Sequence, residues 1–538
     1  MSGAEDEGVI QTLETAANLV KTWGNTRLRN GATLSETLTL QGVPLWDIAA
    51  VDLARIYVPK ALWLGVRRPP LNEQIRPYLS WAKHTLRERP RRGMTTQEPA
   101  ELTGTRAFLF LGFGAYLYRD VLQPVLADIE ARAEGSAVSV YDGRERNTAL
   151  SARGTEARSV WAYWDDETRS RTLSLHRDLR NVAREHLRPA DLNCITTYEG
   201  RSLWAQIGHT MRWLMRVHLP RLLSHAAVAQ RVLRDVRPTL VVSPDVADPR
   251  TRLYALLAHR VGIPCLQIQF GACGPDATEW RFFVGDRLAV WSEQARDVML
   301  SHGVPAELIT ITGSPRHDVM AVVDPEIVTC TRERLGVSPA DTVILLASVF
   351  HLDAHSPGKA EGTIELVKRA IFDVADFLGG VTLVVKPHPL ESLADVRRLV
   401  GARKNIVCAD PREDIRDLIK ACTAFVTLGS TSTFDALIAG KPVVSPLFEG
   451  WPGPDLPFFA HSGATIVARS QAEIADVFQK IRAGSLSPFL SETEGDRKLF
   501  LRRWVFEADG MAASRVAALG REVAVAGCSS SQRHSPHP

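Results

Sequence analysis

Three short turns in this 538-residue chain gather residue types that bind anions or move protons. The first is VKPHP, residues 385–389, directly after the apolar run VTLVV. Its two prolines stiffen the backbone and remove N–H donors, so Lys386 and His388 project in fixed directions. A cation beside a ring donor suits a phosphate oxygen; a rigid loop with a packed histidine is the alternative. The second turn carries Gly429, Ser430, Thr431, Ser432, Thr433 and Asp435 into the helical run FDALIAG. Hydroxyls and free backbone N–H groups at a helix start attract an anion, although one hydroxyl there is an ordinary N-cap. Asp435 is either a cap or an orienting group for a hydroxyl. The third turn, residues 311–318 (ITGSPRHD), places Ser314, Arg316 and Asp318 around Gly313 and Pro315, in structural or substrate-contact roles.

All three turns follow apolar runs of the kind that form buried parallel strands. Strands are expected at residues 107–112, 137–141, 239–242, 264–269, 288–291 and 308–312. A second series is expected at residues 343–349, 381–385, 406–409, 424–428, 443–446 and 464–467. Helical stretches alternate with them, which is the βαβ rhythm of two Rossmann-like domains. Ligands of such sheets sit beyond the carboxyl ends of the strands. The expected organisation is a mostly helical extension at 1–98, an N-terminal Rossmann-like domain at 99–325 and a C-terminal one at 326–500. A terminal helix at 501–527 and a disordered tail at 528–538 complete it. Residues 151–237, rich in Arg and Trp, read as long helices and as an insertion.

Composition narrows the function. Lys plus Arg number 64 and Asp plus Glu 61, a formal charge of +3. That balance gives no support to nucleic-acid binding as the main activity, and no helix-turn-helix or finger spacing is visible. Seven cysteines without a CxxC pair argue against a disulfide framework or a zinc site. The acidic start MSGAEDEGVIQTLE is unlike a secretory signal, and no apolar run reaches the ~20 residues that span a bilayer. A cytoplasmic protein is expected, with peripheral contact at the inner face of a membrane left open. The basic run RERPRR (87–92) is either an anion-facing patch or a solvated linker.

The ordered strings GIPCLQIQFG, DRLAVWSEQARDVMLSHGVPAELITITGSPRHD, VVKPHP and TLGSTSTFDALIAGKPVV carry a resemblance. Together they resemble the GT-B superfamily containing CDP-glycerol glycerophosphotransferases, capsule polysaccharide transferases and UDP-N-acetylglucosamine 2-epimerases. The HP and serine-rich turns also resemble those of bacterial sialyltransferases. TRAFLFLGFGAYLYRDVLQPVL looks more loosely like the opening of the N-terminal domain. The resemblance implies an α/β, GT-B-like fold with two Rossmann-like domains facing a cleft. It implies a CDP-, CMP- or UDP-linked donor on the C-terminal domain, with Lys386, His388, Ser430, Thr431 and Ser432 at its phosphates. A glycan or lipid-linked acceptor would enter from the N-terminal domain. No metal or other cofactor is implied, since protein donors stabilise the leaving phosphate.

One position departs from the pattern. Relatives of the glycerophosphotransferase kind often carry His–Gly where this chain has Phe270–Gly271, and Phe cannot take a proton. Candidate replacements are Asp245, Asp276 and Glu279, with His351 approaching from the other domain. The expected function is transfer of a sugar or an alditol-phosphate unit in surface-polysaccharide synthesis, as in capsule or teichoic acid, with His388 offsetting leaving-group charge. The alternatives are a sugar-nucleotide 2-epimerase, or an inactive module that binds nucleotide or glycan. Trp161, Trp164, Trp204 and Trp213 either form an acceptor platform or pack in the core.

Overall fold

The computed structural model describes residues 2–64, 107–132, 136–142, 156–349, 359–388, 391–449 and 459–531. They divide into two compact units. The first is drawn from Met1–Val290, Ala295–Pro315 and Ala513–Pro538, the second from Trp291–Gln294 and Arg316–Ala512.

The sheet of the first unit contains β1 (Ala107–Leu111), β2 (Ser136–Tyr141), β3 (Glu156–Ser159), β4 (Leu240–Ser243), β5 (Cys265–Ile268), β6 (Arg287–Val290) and β7 (Ile309–Ile311). All neighbours pair in parallel, in the order β7-β6-β5-β4-β1-β2-β3. The run AFLFL of β1 is buried at every position, because helices cover both faces of a parallel sheet. The two-residue alternation of a strand sorts its side chains. Leu109 and Leu111 enter the cluster that holds Leu219, Leu223 and Leu253, while Phe108 and Phe110 join one formed with Val516, Ala517 and Val523.

The second sheet contains β8 (Thr342–Ala347), β9 (Val381–Lys386), β10 (Ile406–Cys408), β11 (Ala424–Thr427), β12 (Val443–Pro446) and β13 (Ile466–Ala468). It too is parallel throughout, in the order β10-β9-β8-β11-β12-β13. Both sheets reverse direction of growth beside their first strand, between β1 and β4 and between β8 and β11. These switch points are where the loops part and a crevice opens.

Several expectations change. The described part of the N-terminal stretch is not a separate extension: Val20, Trp23, Leu45 and Ile48 are buried in the same core as Leu109 and Val241. The span 151–237 is not only helical, because β3 adds an edge strand to the first sheet. The terminal helix is two helices, Glu494–Val505 and Ala512–Ser531. They are separated where Phe506 (φ +72°) and Gly510 (φ +76°) turn left-handed, a backbone that no helix continues through. The second of them returns to cover the first sheet, and its helical end at Ser531 overruns the tail expected from 528. No described helix is long and apolar enough to cross a membrane.

Candidate functional site

The site of the second unit is built on Ala347, the last residue of β8. Ala347 pairs with Lys386 of β9 on one side and with Thr427 of β11 on the other. Adjacent strands lie about 4.8 Å apart, so the HP turn and the serine turn leave the same sheet edge roughly 10 Å from each other. One carboxylate ties the HP turn to the loop after β8. Glu391 Oε2 accepts the backbone N–H of His388 at 2.7 Å, and its Oε1 accepts Ser348 Oγ at 2.9 Å and Lys368 Nζ at 2.6 Å. Lys368 Nζ also donates to the Val349 carbonyl. Burial holds the His388 ring below the usual histidine range, with Glu391 opposing the shift. A neutral imidazole can donate one hydrogen bond and accept one proton.

Lys386 takes a different position from the one read in the sequence. Its ammonium is buried and donates to the carbonyls of Pro411 (2.7 Å) and Asp410 (3.3 Å) in the loop after β10. Burial lowers its pKa, with Glu413 and Asp410 opposing. The side chain therefore fastens two loops, and only one of its three donors remains for an anion.

In the serine turn the organising residue is Thr427, which the sequence reading passed over. Its Oγ1 accepts the N–H groups of Gly429 and Ser430, both at 3.1 Å, and is hydrogen-bonded at 2.7 Å to the Thr433 hydroxyl, which also meets the Ser430 carbonyl. Thr433 is fully buried. Ser430 Oγ accepts the Ser432 N–H, and Thr431 sits at the N-cap of Ser432–Ile438 without a capping bond. Gly429 and Thr431 are exposed, Ser430 is half-buried and Ser432 is buried. Thus Ser430 and Thr431 are the more accessible hydroxyl residues of the turn, while Thr433 is structural.

Asp435 does not face a ligand. It is fully buried, with Oδ2 3.1 Å from Arg316 Nη2 and Oδ1 3.7 Å from His317 Nε2. Burial raises its pKa against the pull of Arg316, and burial holds His317 well below the histidine range. The His317 ring lies edge-on to Trp291 at 4.9 Å. Asp318 Oδ1 accepts the N–H of Ala512 at the start of the last helix. The third turn therefore packs, through Arg316 and Asp318, rather than presenting free side chains. Ser314 is buried in the first unit.

The first unit has its own polar edge, at its own switch point. After β1, Gly112 is required by close approach: a Cβ there would lie 2.9 Å from the Tyr118 ring and 3.3 Å from the Val140 carbonyl. Arg250 joins three loops, stacking over Phe113 at 4.7 Å and pairing with Asp142 (2.7 Å) and Asp248 (2.6 Å). Asp245 lies in the loop after β4, accepts the Ala247 N–H at 2.7 Å, and is pushed up to about 6 by burial. Glu279 is paired with Arg55 at 3.3 Å and raised by burial. Asp52, 3.5 Å from His218 and pushed up to about 7 by burial with help from Asp248, belongs to the same group. The sequence offered no signal for Asp52, Arg55 or His218, since their partners are far along the chain. Phe270 packs on the apolar core. A Cβ on Gly271 would meet nothing within 4 Å, so no steric need explains that glycine. Asp276 lies in the loop beyond it; His351 and the run 87–92 fall outside the described residues.

The four tryptophans do not form one platform. Trp161 meets Trp164 and His225, Trp213 stacks on His218, and Trp204 carries Arg212; all four pack on the main core. Among the described residues, His259, Cys265 and Asp286 lie close enough together to hold a metal ion. Their groups already bind one another: His259 Nε2 is 2.7 Å from Asp286 Oδ2, which also accepts the Cys265 N–H. Burial raises the Cys265 thiol well above its ordinary value, which opposes the thiolate a metal needs.

No curated protein matches the sequence. Residues 286–519 match the family CDP-Glycerol:Poly(glycerophosphate) glycerophosphotransferase. Among solved structures, a UDP-N-acetylglucosamine 2-epimerase is similar at 14% identity and TM-score 0.50, covering 76% of this chain and 94% of its own. The UDP-GlcNAc 2-epimerase from Neisseria meningitidis bound to UDP-GlcNAc is similar at 15% identity and TM-score 0.47, covering 77% of this chain and 100% of its own. A wall teichoic acid polymerase, TagF, is similar at 12% identity and TM-score 0.47, covering 86% of this chain and 100% of its own. Residues 286–519 of this chain are thus a segment similar to the glycerophosphotransferase family, set in a fold of two parallel sheet bodies similar to that of the 2-epimerase.

Proposed function

We propose that the protein transfers a glycerol-phosphate or related alditol-phosphate unit from a CDP-linked donor to the hydroxyl of a growing or lipid-linked polymer. The observation that carries this reading is the placement of the His388 and Ser430–Thr431 turns on either side of Ala347, at the switch point of the second sheet. Ser430 and Thr431 donate to the donor's phosphate oxygens, and the neutral His388 ring donates to the phosphate that leaves. Such donors act by stabilising charge that grows in the transition state. The acceptor oxygen forms a bond to the transferred phosphorus, the bond from that phosphorus to the CMP oxygen breaks, and the acceptor proton passes to a carboxylate. The protein would work at the inner face of a membrane, where a lipid-linked acceptor lies.

Turnover of CDP-glycerol with a poly(glycerophosphate) acceptor tests the reading. His388→Ala and Ser430→Ala are each expected to lower kcat by roughly 10²-fold, the scale of one lost transition-state donor. Unchanged turnover in both variants removes the proposed donor site. A thermal-shift series with CMP, CDP, UMP and UDP names the base, since a ligand bound only by the folded state raises Tm. Phe270 favours a second reading, a nucleotide-binding module without turnover. Nucleotide binding with no transfer to any acceptor would establish it.

A further inference from the structure

A cavity of the first unit lies away from that unit's switch point. It encloses about 810 Å³ within the first unit. Pro238 and Ile263, which line it, precede β4 and β5, so the cavity opens at the amino-terminal edge of the first sheet, opposite the loops that follow β4 and β5. Its wall carries Arg171, Arg231, Arg234, Arg237 and Arg260. Arg231 and Arg234 are compensated: Glu167 pairs with both, and Asp165 and Asp235 add to Arg231. The other three are not. Arg171 bonds only to neutral oxygens, Gln230 Oε1 and the Gln41 carbonyl. No described carboxylate pairs with Arg171, Arg237 or Arg260. Three uncompensated guanidiniums facing one hollow favour an anion, and their planar forks match phosphate oxygens.

The backbone supports the same assignment independently. Among the described residues, four non-glycine residues have left-handed φ, and two of them, Gln41 (φ +46°) and Arg237 (φ +48°), line this cavity. Arg237 ends the helix Leu219–Val236 in a position that normally takes glycine. An arginine there costs about 1 kcal/mol of backbone strain, and strain of this kind clusters at ligand sites. Beside the guanidiniums lie Leu257 and Val261, the latter 64% exposed although large and apolar.

We propose that this cavity binds the phosphate headgroup of an amphiphile, with the arginines on the phosphate and the first methylenes of the apolar part against Leu257 and Val261. The assignment is independent of the transferase chemistry, and its test reads binding rather than turnover. The full chain is titrated calorimetrically with dioctanoyl phosphatidylglycerol below its micelle concentration, with inorganic phosphate, and with dioctanoyl phosphatidylcholine as a lipid of no net charge. Saturable binding of the phosphatidylglycerol is expected, at least tenfold tighter than either control. Arg237→Gly is the informative variant, because glycine relieves the left-handed backbone and keeps the fold. It and Arg260→Gln are each expected to weaken binding about tenfold or more, with Tm of Arg237→Gly equal to or above wild type. Equal binding in the two variants overturns the site. Inorganic phosphate binding as tightly as the lipid overturns the amphiphile and leaves a free-phosphate site. Phosphatidylcholine binding as tightly overturns the role of charge.

Discussion

Asp52 Oδ2 lies 3.5 Å from His218 Nε2, and each residue borders a π-helical segment: Leu53–Tyr57 follows Asp52, and Leu214–His218 ends at His218. Tyr57 and Trp213 bring the same two segments together, with ring centroids 5.5 Å apart. Such bulges are rare in helices and concentrate at functional positions. Burial pushes Asp52 up to about 7 and holds His218 down at about 4, so between those values the pair carries one proton, on the carboxyl group.

The two burial shifts give opposing pH dependences of stability. The raised pKa of Asp52 contributes stability that is full below its ordinary 3.8 and is lost as pH rises through about 7. The depressed pKa of His218 contributes stability that is full above 6.5 and is lost as pH falls through about 4. Over pH 4 to 6.5 the two oppose each other. Relative to wild type, Asp52→Asn is expected to gain stability with rising pH, and His218→Gln to lose it, each by at most ~1.4 kcal/mol per pH unit. Urea denaturation at several pH values checks this, and slopes of the same sign in both variants would contradict the two opposite shifts.

The Arg316–Asp435 pair is buried, with the carboxylate fully enclosed. Removing one partner of a buried pair leaves the other uncompensated, so Asp435→Ala is expected to destabilise by about 3–5 kcal/mol. The double variant Asp435→Leu with Arg316→Met should recover most of that loss. Chemical denaturation of wild type, Asp435→Leu, Arg316→Met and the double variant gives the coupling directly.

Glu391 orients His388 through a backbone N–H and also neutralises Lys368. Glu391→Gln keeps an acceptor for the His388 N–H and is expected to lower kcat about tenfold, with KM for the donor nearly unchanged, as a misplaced donor group does. Glu391→Ala strands the buried Lys368 ammonium and should destabilise by about 3 kcal/mol or more. Steady-state kinetics beside denaturation separates the two effects.

Thr427 Oγ1 accepts the N–H groups of Gly429 and Ser430 and bonds the Thr433 hydroxyl, which holds the serine turn in shape. Thr427→Val keeps the volume and removes the oxygen; a cost of about 1–3 kcal/mol is expected from the unsatisfied donors, with weaker nucleotide binding. Thr427→Ser should restore both. Calorimetric titration with CDP measures the recovery.

Apart from the edge strand β3, the amino-acid order alone determined the strands and the ends they lead to. Runs such as AFLFL and VTLVV alternate with amphipathic helices, and this local periodicity is set by neighbours in the chain. The prolines around His388 and the hydroxyls after Leu428 were legible for the same reason, being turn chemistry within a few residues. Which side chains meet was decided only by packing. Asp52 with His218, Arg316 with Asp435 and Lys368 with Glu391 are separated by long stretches of chain, and no local pattern encodes those distances. Tertiary structure likewise turned Lys386 toward Pro411 and enclosed Asp435. A buried charge must find a partner wherever the fold brings one, and that requirement acts through space, not along the sequence.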